Sequence, residues 1–301
     1  MNLGHRQLRT FAAVAELGSF ERAAQRLHLT QSAVSQRIKQ LEDAVGQLLI
    51  VRGQPLGLTA AGEKLLAYQR QQQLLEEELL RQLGCHSDSA YTSVAIALNA
   101  DSLATWFLHA MQPLLRERRL LLDLRVADQD QTHRFLRRGE VSGCISSDAA
   151  PMQGCRCVAL GSMTYRALAS GDFYARYFAD GVSAAALRQA PAVDYDLVDA
   201  LQQRYLGQQF GIAGGDYPRH RVPSPDAYLQ MIVQGLGWGM VPDLQSAALR
   251  QSGALVELSP GRRQAVALYW HRSSLGSTTL SAIEAALVGH AAAVLVPLDE
   301  L

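Results

Sequence analysis

The sequence predicts an α/β protein with a small all-α-plus-wing module at its N-terminus, and three observations support this prediction. The chain has 301 residues, which is more than one typical domain. Apolar residues recur at helical spacing up to residue 83, whereas short apolar runs alternate with helical segments from residue 92 onward. Residues 1–58 contain seven basic and four acidic residues, a net charge of +3 in a chain that is neutral as a whole.

The first helices have clear ends in the sequence. A helix with apolar residues at helical spacing ends at Gly18, and Ser19 caps a short second helix. His28 and Leu29 make a tight turn, and Thr30 caps a third helix. Two short helices joined by such a turn are typical of a helix-turn-helix, in which the second helix enters the major groove of DNA.

The third helix has two different faces. Its apolar stripe consists of Val34, Ile38, Leu41 and Val45. The helix turns by about 100° per residue, which puts hydroxyl, amide and cationic groups on the opposite side. These groups belong to Ser32, Ser35, Gln36 and Lys39. Because Gln pairs with adenine, Lys or Arg with guanine, and Ser with bases or phosphates, this face predicts contacts with DNA.

The segment LLIVRGQPLGLT, residues 48–59, predicts a β-hairpin wing because two apolar pieces flank Gly and Pro residues. Arg52, near its tip, is placed to meet a phosphate or the minor groove. The alternative is a three-helix module whose polar face is merely solvated, but that face has no acid before Asp43. The residues predicted to contact DNA are Ser19, Gln31, Ser32, Ser35, Gln36, Arg37, Lys39 and Arg52.

The stretch FAAVAELGSFERAAQRLHLTQSAVSQRIKQLEDAVGQLLIVR, followed by LTAAGEKLL, resembles the N-terminal signature of the LysR-type transcriptional regulators over about residues 5–66. The resemblance implies a winged helix-turn-helix, a long linker helix, and an effector domain with the two-lobed fold of periplasmic binding proteins. The implied domains are 1–58 for DNA binding, 59–83 for the dimerising linker helix, 84–91 for a hinge, and 92–301 for effector binding. The effector domain divides into lobe I, 92–161 and 266–301, and lobe II, 162–265.

The predicted linker helix is capped by Thr59 and runs to Leu83. Its apolar seam consists of Leu65, Tyr68, Leu75 and Leu79. Because a long helix gains most of its stability by packing an apolar face, we expect a partner helix, a homodimer, and further assembly into a homotetramer on a pseudo-palindromic DNA site. The alternative is a helix packed on its own domain. Residues 84–91, GCHSDSAY, have the composition of a hinge.

From residue 92, strand-like runs alternate with helical ones, which predicts parallel βαβ units in two lobes. The expected strands are SVAIALNA, LLLDLRVA, VSGCISS, MTYRALAS, APAVDYD, RHRVP, GWGMVP and VALYWH. The expected helices include SLATWFLHAMQPLLRE, THRFLRRG and residues 277–295. In such folds, ligands bind at the carboxyl ends of strands, where helices begin.

The motifs LNADSLATW, LRRGEV, DAYLQMIVQGLGWGMVP and LYWHR resemble one branch of the family, the ArgP/LysG type. This resemblance implies that lysine or arginine is the effector and that a gene for an amino-acid exporter is the target. Such a ligand needs a helix N-terminus for its carboxylate and aspartates for its cations. The candidates are Asp101, Ser102, Thr105, Asp128, Asp196, Ser224 and Asp226. The alternative role of each aspartate is a helix cap. Tyr195 and Trp106 either wall the aliphatic stem or pack in the core.

Other classes of protein explain less of the chain. No GxSxG, HExxH or phosphate-loop motif occurs, so we expect neither an enzyme nor a cofactor. An amino-acid carrier leaves the N-terminal module unexplained, and an architectural DNA-binding protein leaves the α/β region unexplained. A regulator that responds to another metabolite, such as an organic acid, stays open. Cationic side chains in the cleft would favour an organic acid, whereas aspartates would favour a basic amino acid.

Composition also bears on the compartment. No apolar stretch approaches the ~18 residues that a membrane helix needs, and no signal sequence is evident, so we expect a cytoplasmic, nucleoid-associated protein with RNA polymerase as a further partner. The four cysteines have no zinc-binding or CxxC spacing and are expected to be reduced, buried thiols rather than metal ligands. They are Cys85, Cys144, Cys155 and Cys157.

Overall fold

The computed structural model describes residues 4–51, 53, 55–83, 91–129, 131–150, 152, 154–213, 216–274 and 276–300. Its helices are α1 His5–Leu17, α2 Phe20–Leu27, α3 Gln31–Val45, α4 Ala60–Gln82, α5 Ala100–Ser102, α6 Leu108–Glu117, α7 Thr132–Arg137, α8 Gly171–Tyr177, α9 Ala184–Leu187, α10 Leu201–Phe210, α11 Pro225–Val233, α12 Asp243–Gln251 and α13 Thr278–Val294. Its strands are β1 Ile50–Val51, β2 Gly57–Leu58, β3 Thr92–Leu98, β4 Leu120–Val126, β5 Gly143–Ser146, β6 Cys155–Ser170, β7 Ala192–Asp194, β8 Arg219–Arg221, β9 Gly239–Pro242, β10 Leu255–Glu257 and β11 Gln264–Ser273. A π-helical turn, Leu103–Phe107, joins α5 to α6, and a 3-10 helix, Leu298–Glu300, follows α13.

The N-terminal helices begin and end where the sequence predicts. Gly18 ends α1 with a left-handed φ of 59°, and the Ser19 hydroxyl caps α2 by accepting from the Arg22 N–H at 3.3 Å. His28 adopts a left-handed conformation with a φ of 55°, and this residue forms the tight turn between α2 and α3. The Thr30 hydroxyl then caps α3 by accepting from the Ala33 N–H at 3.2 Å.

The apolar stripe of α3 packs into a separate N-terminal core. Val34, Ile38 and Leu41 are buried there against Phe11 and Val14 of α1, which confirms the predicted inner face. The wing is also confirmed, since β1 and β2 pair antiparallel. Arg52, the wing residue predicted to contact DNA, lies outside the described residues.

The linker helix α4 is long and anchored at its start. The Thr59 hydroxyl accepts from the Gly62 N–H at 3.1 Å and donates to the Leu48 carbonyl at 2.7 Å, so the cap also ties the helix to the wing. Two seam residues, Tyr68 and Leu79, are 43% and 53% exposed in the single chain. An apolar side chain as open as Leu79 on a 23-residue helix is available to a partner helix. The predicted hinge falls outside the described residues except for Tyr91.

The sheet that follows is mixed rather than parallel throughout. β3 pairs in parallel with β4 and β5, and β7 with β8, as the alternation of strands and helices predicts. The expectation of parallel pairing is wrong for β6, β9 and β11, which pair antiparallel, and β10, a strand that was not predicted, pairs antiparallel with β6. The order of the sheet is β10-β6-β11-β5-β3-β4, with β9 on β6. These pairings join segments far apart in the chain, and local periodicity carries no information about their direction.

Strand β6 connects the two halves of the sheet. Its first part pairs with β11, whereas its last residues, from Tyr165 on, pair with β9 and β10. The main core covers the sheet and includes three fully buried tryptophans, Trp106, Trp238 and Trp270. Core packing is therefore the role of Trp106. Among the described residues, no helix is long and apolar enough to span a membrane.

Candidate functional site

The polar face of α3 lies on the outside of the N-terminal module. Gln31, Ser32, Gln36 and Lys39 are exposed, and Ser35 is half-buried. Ser35, Gln36 and Lys39 line a shallow surface depression together with two acidic residues of the same helix, Glu42 and Asp43, and with the turn that leads to the wing. The amide, hydroxyl and ammonium groups of Ser35, Gln36 and Lys39 offer donors and acceptors to base edges and phosphates.

Two of the predicted DNA contacts have other roles in the structure. Arg37 turns back toward α1, where its guanidinium donates to the Thr10 hydroxyl at 3.3 Å, so it lies off the exposed face. A long side chain at the edge of the face can reach a neighbouring helix, and the contact of Arg37 with DNA stays a prediction. Ser19 uses its hydroxyl to cap α2. Its predicted contact with DNA is untested.

A cleft lies where several strands end and helices begin. It contains three of the predicted effector ligands, Asp101, Asp128 and Asp196. It has a volume of about 130 Å³. The other lining residues are Asn99, Ala100, Val126, Ala127, Gln129, Tyr165, Tyr195, Asp199, Leu201, Pro225, Tyr228, Met240, Pro242 and Gln245. The cleft therefore combines residues that follow β3, β4 and β7 with residues of β6, α11 and α12, as expected for a site between two lobes.

Among the aspartates of the cleft, Asp101 has a strongly raised pKa. Its carboxylate accepts a hydrogen bond of 2.8 Å from the Tyr165 hydroxyl across the cleft. Burial raises the pKa of Asp101 to about 6; the hydrogen bond from Tyr165 offsets part of this effect, and the charges of Asp199 and Asp128 add to it. A buried carboxylate of this kind is stabilised in its ionised form by a nearby cation.

The loop after β7 supplies two further carboxylates. Asp196 accepts from the N–H groups of Val198 and Asp199 at 2.8 and 2.9 Å, and Asp199 accepts from the N–H of Leu201 at 2.9 Å. Burial raises the pKa of Asp199, with the neighbouring charge of Asp196 adding to the effect. Asp196 therefore lies in the cleft and stabilises a turn of its own loop, but it does not cap α10, whose N-cap residue is Ala200. Asp199 was missed, although its spacing from Asp196 in the loop is a readable signal.

Four predicted effector ligands do not line the cleft. Ser102 is fully buried, and the Thr105 hydroxyl donates to the Asp101 carbonyl at 2.6 Å within the helix. Ser224 caps α11 by accepting from the Ala227 N–H at 3.4 Å, and Asp226 is exposed in the first turn of α11. For these residues, the structure favours helix capping or helix packing over contact with a ligand in this conformation.

Asn99 is a second residue that the sequence reasoning missed. It is 2% exposed and lines the cleft at the start of the helix that begins at Ala100. Neither polar atom of its side chain has a hydrogen-bond partner in the described part of the chain. A buried amide without a partner is costly, so a ligand that bonds to it gains affinity.

The charge of the cleft is its most distinctive property. Four aspartates line it, whereas none of its described lining residues is Lys, Arg or His. Like charges that share a partly desolvated space disfavour ionisation of one another and are relieved by a cation. The described residues contain no group of three or more His, Cys, Asp or Glu side chains arranged to hold a metal ion. The arrangement suits an organic cation of low molecular weight.

The described cysteines are not in disulfides. Cys144 is buried, and Cys155 and Cys157 are half-buried. Burial raises the pKa of all three thiols, which disfavours the reactive thiolate. Cys85 lies outside the described residues.

The fold and its two sites define a class of protein: a DNA-binding helix-turn-helix joined by a long helix to a ligand-binding α/β domain. The chain belongs to the lysR family of bacterial regulators. The family model for bacterial regulatory helix-turn-helix proteins of the lysR family matches residues 5–63, and the model for the LysR substrate binding domain matches residues 90–292. This confirms the family and the fold class predicted from the sequence.

Similar proteins include regulators with the name ArgP. The HTH-type transcriptional regulator ArgP of Proteus mirabilis is 44% identical over 291 residues, 97% of either chain. Among solved structures, ArgP from Mycobacterium tuberculosis is 39% identical with a TM-score of 0.88, over 99% of this chain and 100% of that one. Full-length LysG from Corynebacterium glutamicum with bound effector Arg is 34% identical with a TM-score of 0.81, over the same shares of both chains.

Proposed function

We propose that this protein is a transcriptional regulator whose binding to promoter DNA is modulated by lysine or arginine in the acidic cleft. The observation that carries the proposal is the set of four aspartates and the lack of cationic side chains among the described residues of the cleft. The bound arginine of the LysG structure supports the same class of ligand. An organic acid would need cations where this cleft has carboxylates.

The cleft offers a complementary group to each end of a basic amino acid. The distal cation and the α-ammonium pair with the aspartates, of which Asp101 and Asp199 gain most because burial has raised their pKa. The α-carboxylate lies at the helix that begins at Ala100, where free N–H groups and the buried amide of Asn99 are donors. Tyr195 and Met240 wall the aliphatic stem.

On the DNA side, the exposed face of α3 enters a major groove. Two chains pair through the seam of α4, and dimers assemble into tetramers on a pseudo-palindromic operator. A ligand between the lobes changes their relative angle and thereby the spacing of the recognition helices. In this proposal the chain acts in the nucleoid with RNA polymerase, controls a gene for an amino-acid exporter, and catalyses no reaction.

A thermal-shift screen of the full-length protein against the twenty amino acids and common organic acids tests this proposal. A ligand that binds only the folded protein raises its melting temperature. We expect lysine and arginine to give the largest shifts among the amino acids, and Asp128→Asn to reduce both. A larger shift by an organic acid that Asp128→Asn abolishes would contradict the proposal, because that acid would then occupy the cleft.

A further inference from the structure

The linker helix α4 lies against the effector domain of its own chain at one close contact. Gly139, in the turn after α7, approaches the helix so closely that a Cβ atom on it would be 2.3 Å from the Cα of Ala67. Its φ of 65° is also one that glycine adopts most easily. The guanidinium of Arg70 donates to the Gly139 carbonyl at the same place. The helix and the effector domain are thus held together at this point.

A cavity of about 720 Å³ opens beside this contact. The face that α4 turns toward it has residues at positions i, i+3, i+4 and i+7, namely Lys64, Ala67, Tyr68 and Gln71. The opposite wall combines apolar side chains with small polar ones, including Val141, Met152, Ser142 and Ser274. The space is much larger than the effector cleft, and it lies between the part of the chain that positions DNA-binding helices and the part that binds the effector.

The charged side chains among the described lining residues of this cavity are all basic. Lys64, Arg70 and Arg137 line it, and its described lining residues include no carboxylate. Lys64 and Arg137 make no hydrogen bond or ion pair with any residue that the structure describes, and both are exposed at the rim. The neighbouring Arg138, in contrast, pairs with Glu63 at 3.3 Å. Arg70 pairs with Glu16 at 3.7 Å, so the lining cations without an acidic partner among the described residues are Lys64 and Arg137. An anion between these two would offset their charge.

We propose that this cavity is a second ligand site, which binds a small anion with carboxylate or phosphate groups between Lys64 of α4 and Arg137 of α7. Carboxylate and phosphate share the chemistry that Arg and Lys recognise, oxygens that accept charge-assisted hydrogen bonds. The bound anion joins the linker helix to the effector domain and stiffens the connection between the effector cleft and the DNA-binding module. The site is distinct from the acidic cleft and of opposite charge.

The test uses the full-length protein. Citrate is the probe for a carboxylate ligand, and inorganic phosphate is the probe for a phosphate ligand. Melting temperature is followed as each is titrated, and chloride at equal ionic strength sets the baseline. We expect a saturable rise for citrate, phosphate or both, with half-saturation at about 1 mM or below. The double variant Lys64→Gln/Arg137→Gln should weaken this response at least about tenfold. Arg134→Gln is the matched control, since Arg134 is an exposed cation of α7 outside the cavity lining, and it should respond as wild type does.

The responses to the two anions, and the responses of the double variant and the wild type, decide whether the second site exists. A response to citrate alone identifies a carboxylate ligand, and a response to phosphate alone identifies a phosphate ligand. No saturable response to either anion, or an equal response in the double variant and the wild type, would overturn the second site. The double variant should still bind arginine, and Asp128→Asn should still bind the anion, so this proposal and the effector proposal fail separately.

Discussion

The exposed face of α3 and the acidic cleft both present polar side chains, but they are built in opposite ways. The face comes from a single helix, is largely solvated, and carries amides, hydroxyls and a lysine. The cleft is assembled from segments that follow three strands, is partly buried, and carries four aspartates. The hydrogen-bonding groups and Lys39 of the first are compatible with polyanionic DNA, whereas the four aspartates of the second repel it.

The two sites also differ in how much binding free energy a single side chain is expected to contribute. Burial has raised the pKa of Asp101 and Asp199, which means that these charges are partly removed from water. Interactions of such charges are stronger than those of groups in contact with solvent. We therefore expect single substitutions in the cleft to have larger effects on binding than single substitutions on α3.

The largest effect is expected for Asp128→Asn. If the aspartates pair with the cations of the ligand, removal of one charge should weaken binding of arginine and lysine by about 2–5 kcal/mol, measured by titration calorimetry at pH 8. Asp226→Asn is the control, because Asp226 is an exposed aspartate of α11 that does not line the cleft. Equal affinities of the Asp128→Asn variant and the wild type would remove Asp128 from the site.

Asp101→Asn should change how stability of the ligand-free protein depends on pH. The folded-state pKa of about 6 lies above the ordinary aspartate pKa of 3.8, so the folded protein binds the proton more tightly than the unfolded chain does. Stability from this group therefore falls as pH rises from about 4 to about 6, by about 1–3 kcal/mol. Urea unfolding at pH 5 and pH 7.5 should show this loss in wild type and a smaller one in the variant. The same loss in both proteins would mean that Asp101 does not carry it.

On the other surface, Gln36→Ala should weaken binding to the operator by about 1–3 kcal/mol, because it removes a bidentate contact with a base. The measurement is fluorescence anisotropy with operator DNA and with random DNA of equal length. Binding to random DNA and binding of arginine should be unchanged. Unaltered affinity for the operator would mean that this side of α3 does not read bases.

The smallest effect is expected for the helix cap of α3. Thr30→Ala removes the acceptor of the Ala33 N–H and should lower the free energy of unfolding by about 1 kcal/mol. Thr30→Ser keeps the hydroxyl and should retain most of that stability. Arginine binding should not change in either variant, since the cap lies in a core separate from that of the effector domain. A loss of arginine affinity would show that the two regions are coupled more tightly than their separate cores indicate.

The difference between the two sites also explains how much of each could be predicted from the sequence. The stripe of Val34, Ile38 and Leu41 and the caps of α2 and α3 are local features, and the structure confirms them. The periodicity of a helix fixes which side is buried without any knowledge of the rest of the chain. It cannot fix where a long side chain at the edge of a face ends, as the hydrogen bond from Arg37 to Thr10 shows.

Only some residues of the cleft were predicted, because the cleft depends on contacts between segments that are distant in the sequence. Asp101, Asp128 and Asp196 follow strands, and the rule that ligands bind at strand ends located them. Asn99 became visible only when its burial was known, since in the sequence it does not differ from an ordinary loop residue. Asp199 was overlooked despite its spacing from Asp196, and its burial makes its role visible. Asp226 and Ser224 also precede or begin a helix, but α11 turns them away from the space.

The most direct test of the effector proposal compares L-arginine with L-citrulline by calorimetry on the full-length protein. Citrulline has nearly the same shape and keeps the α-amino and α-carboxyl groups, but its ureido group is neutral. If carboxylates of the cleft pair with the distal cation, arginine should bind at least about 100-fold more tightly. Equal dissociation constants for the two ligands would contradict the account, because the charge of the cleft would then play no part in choosing its ligand.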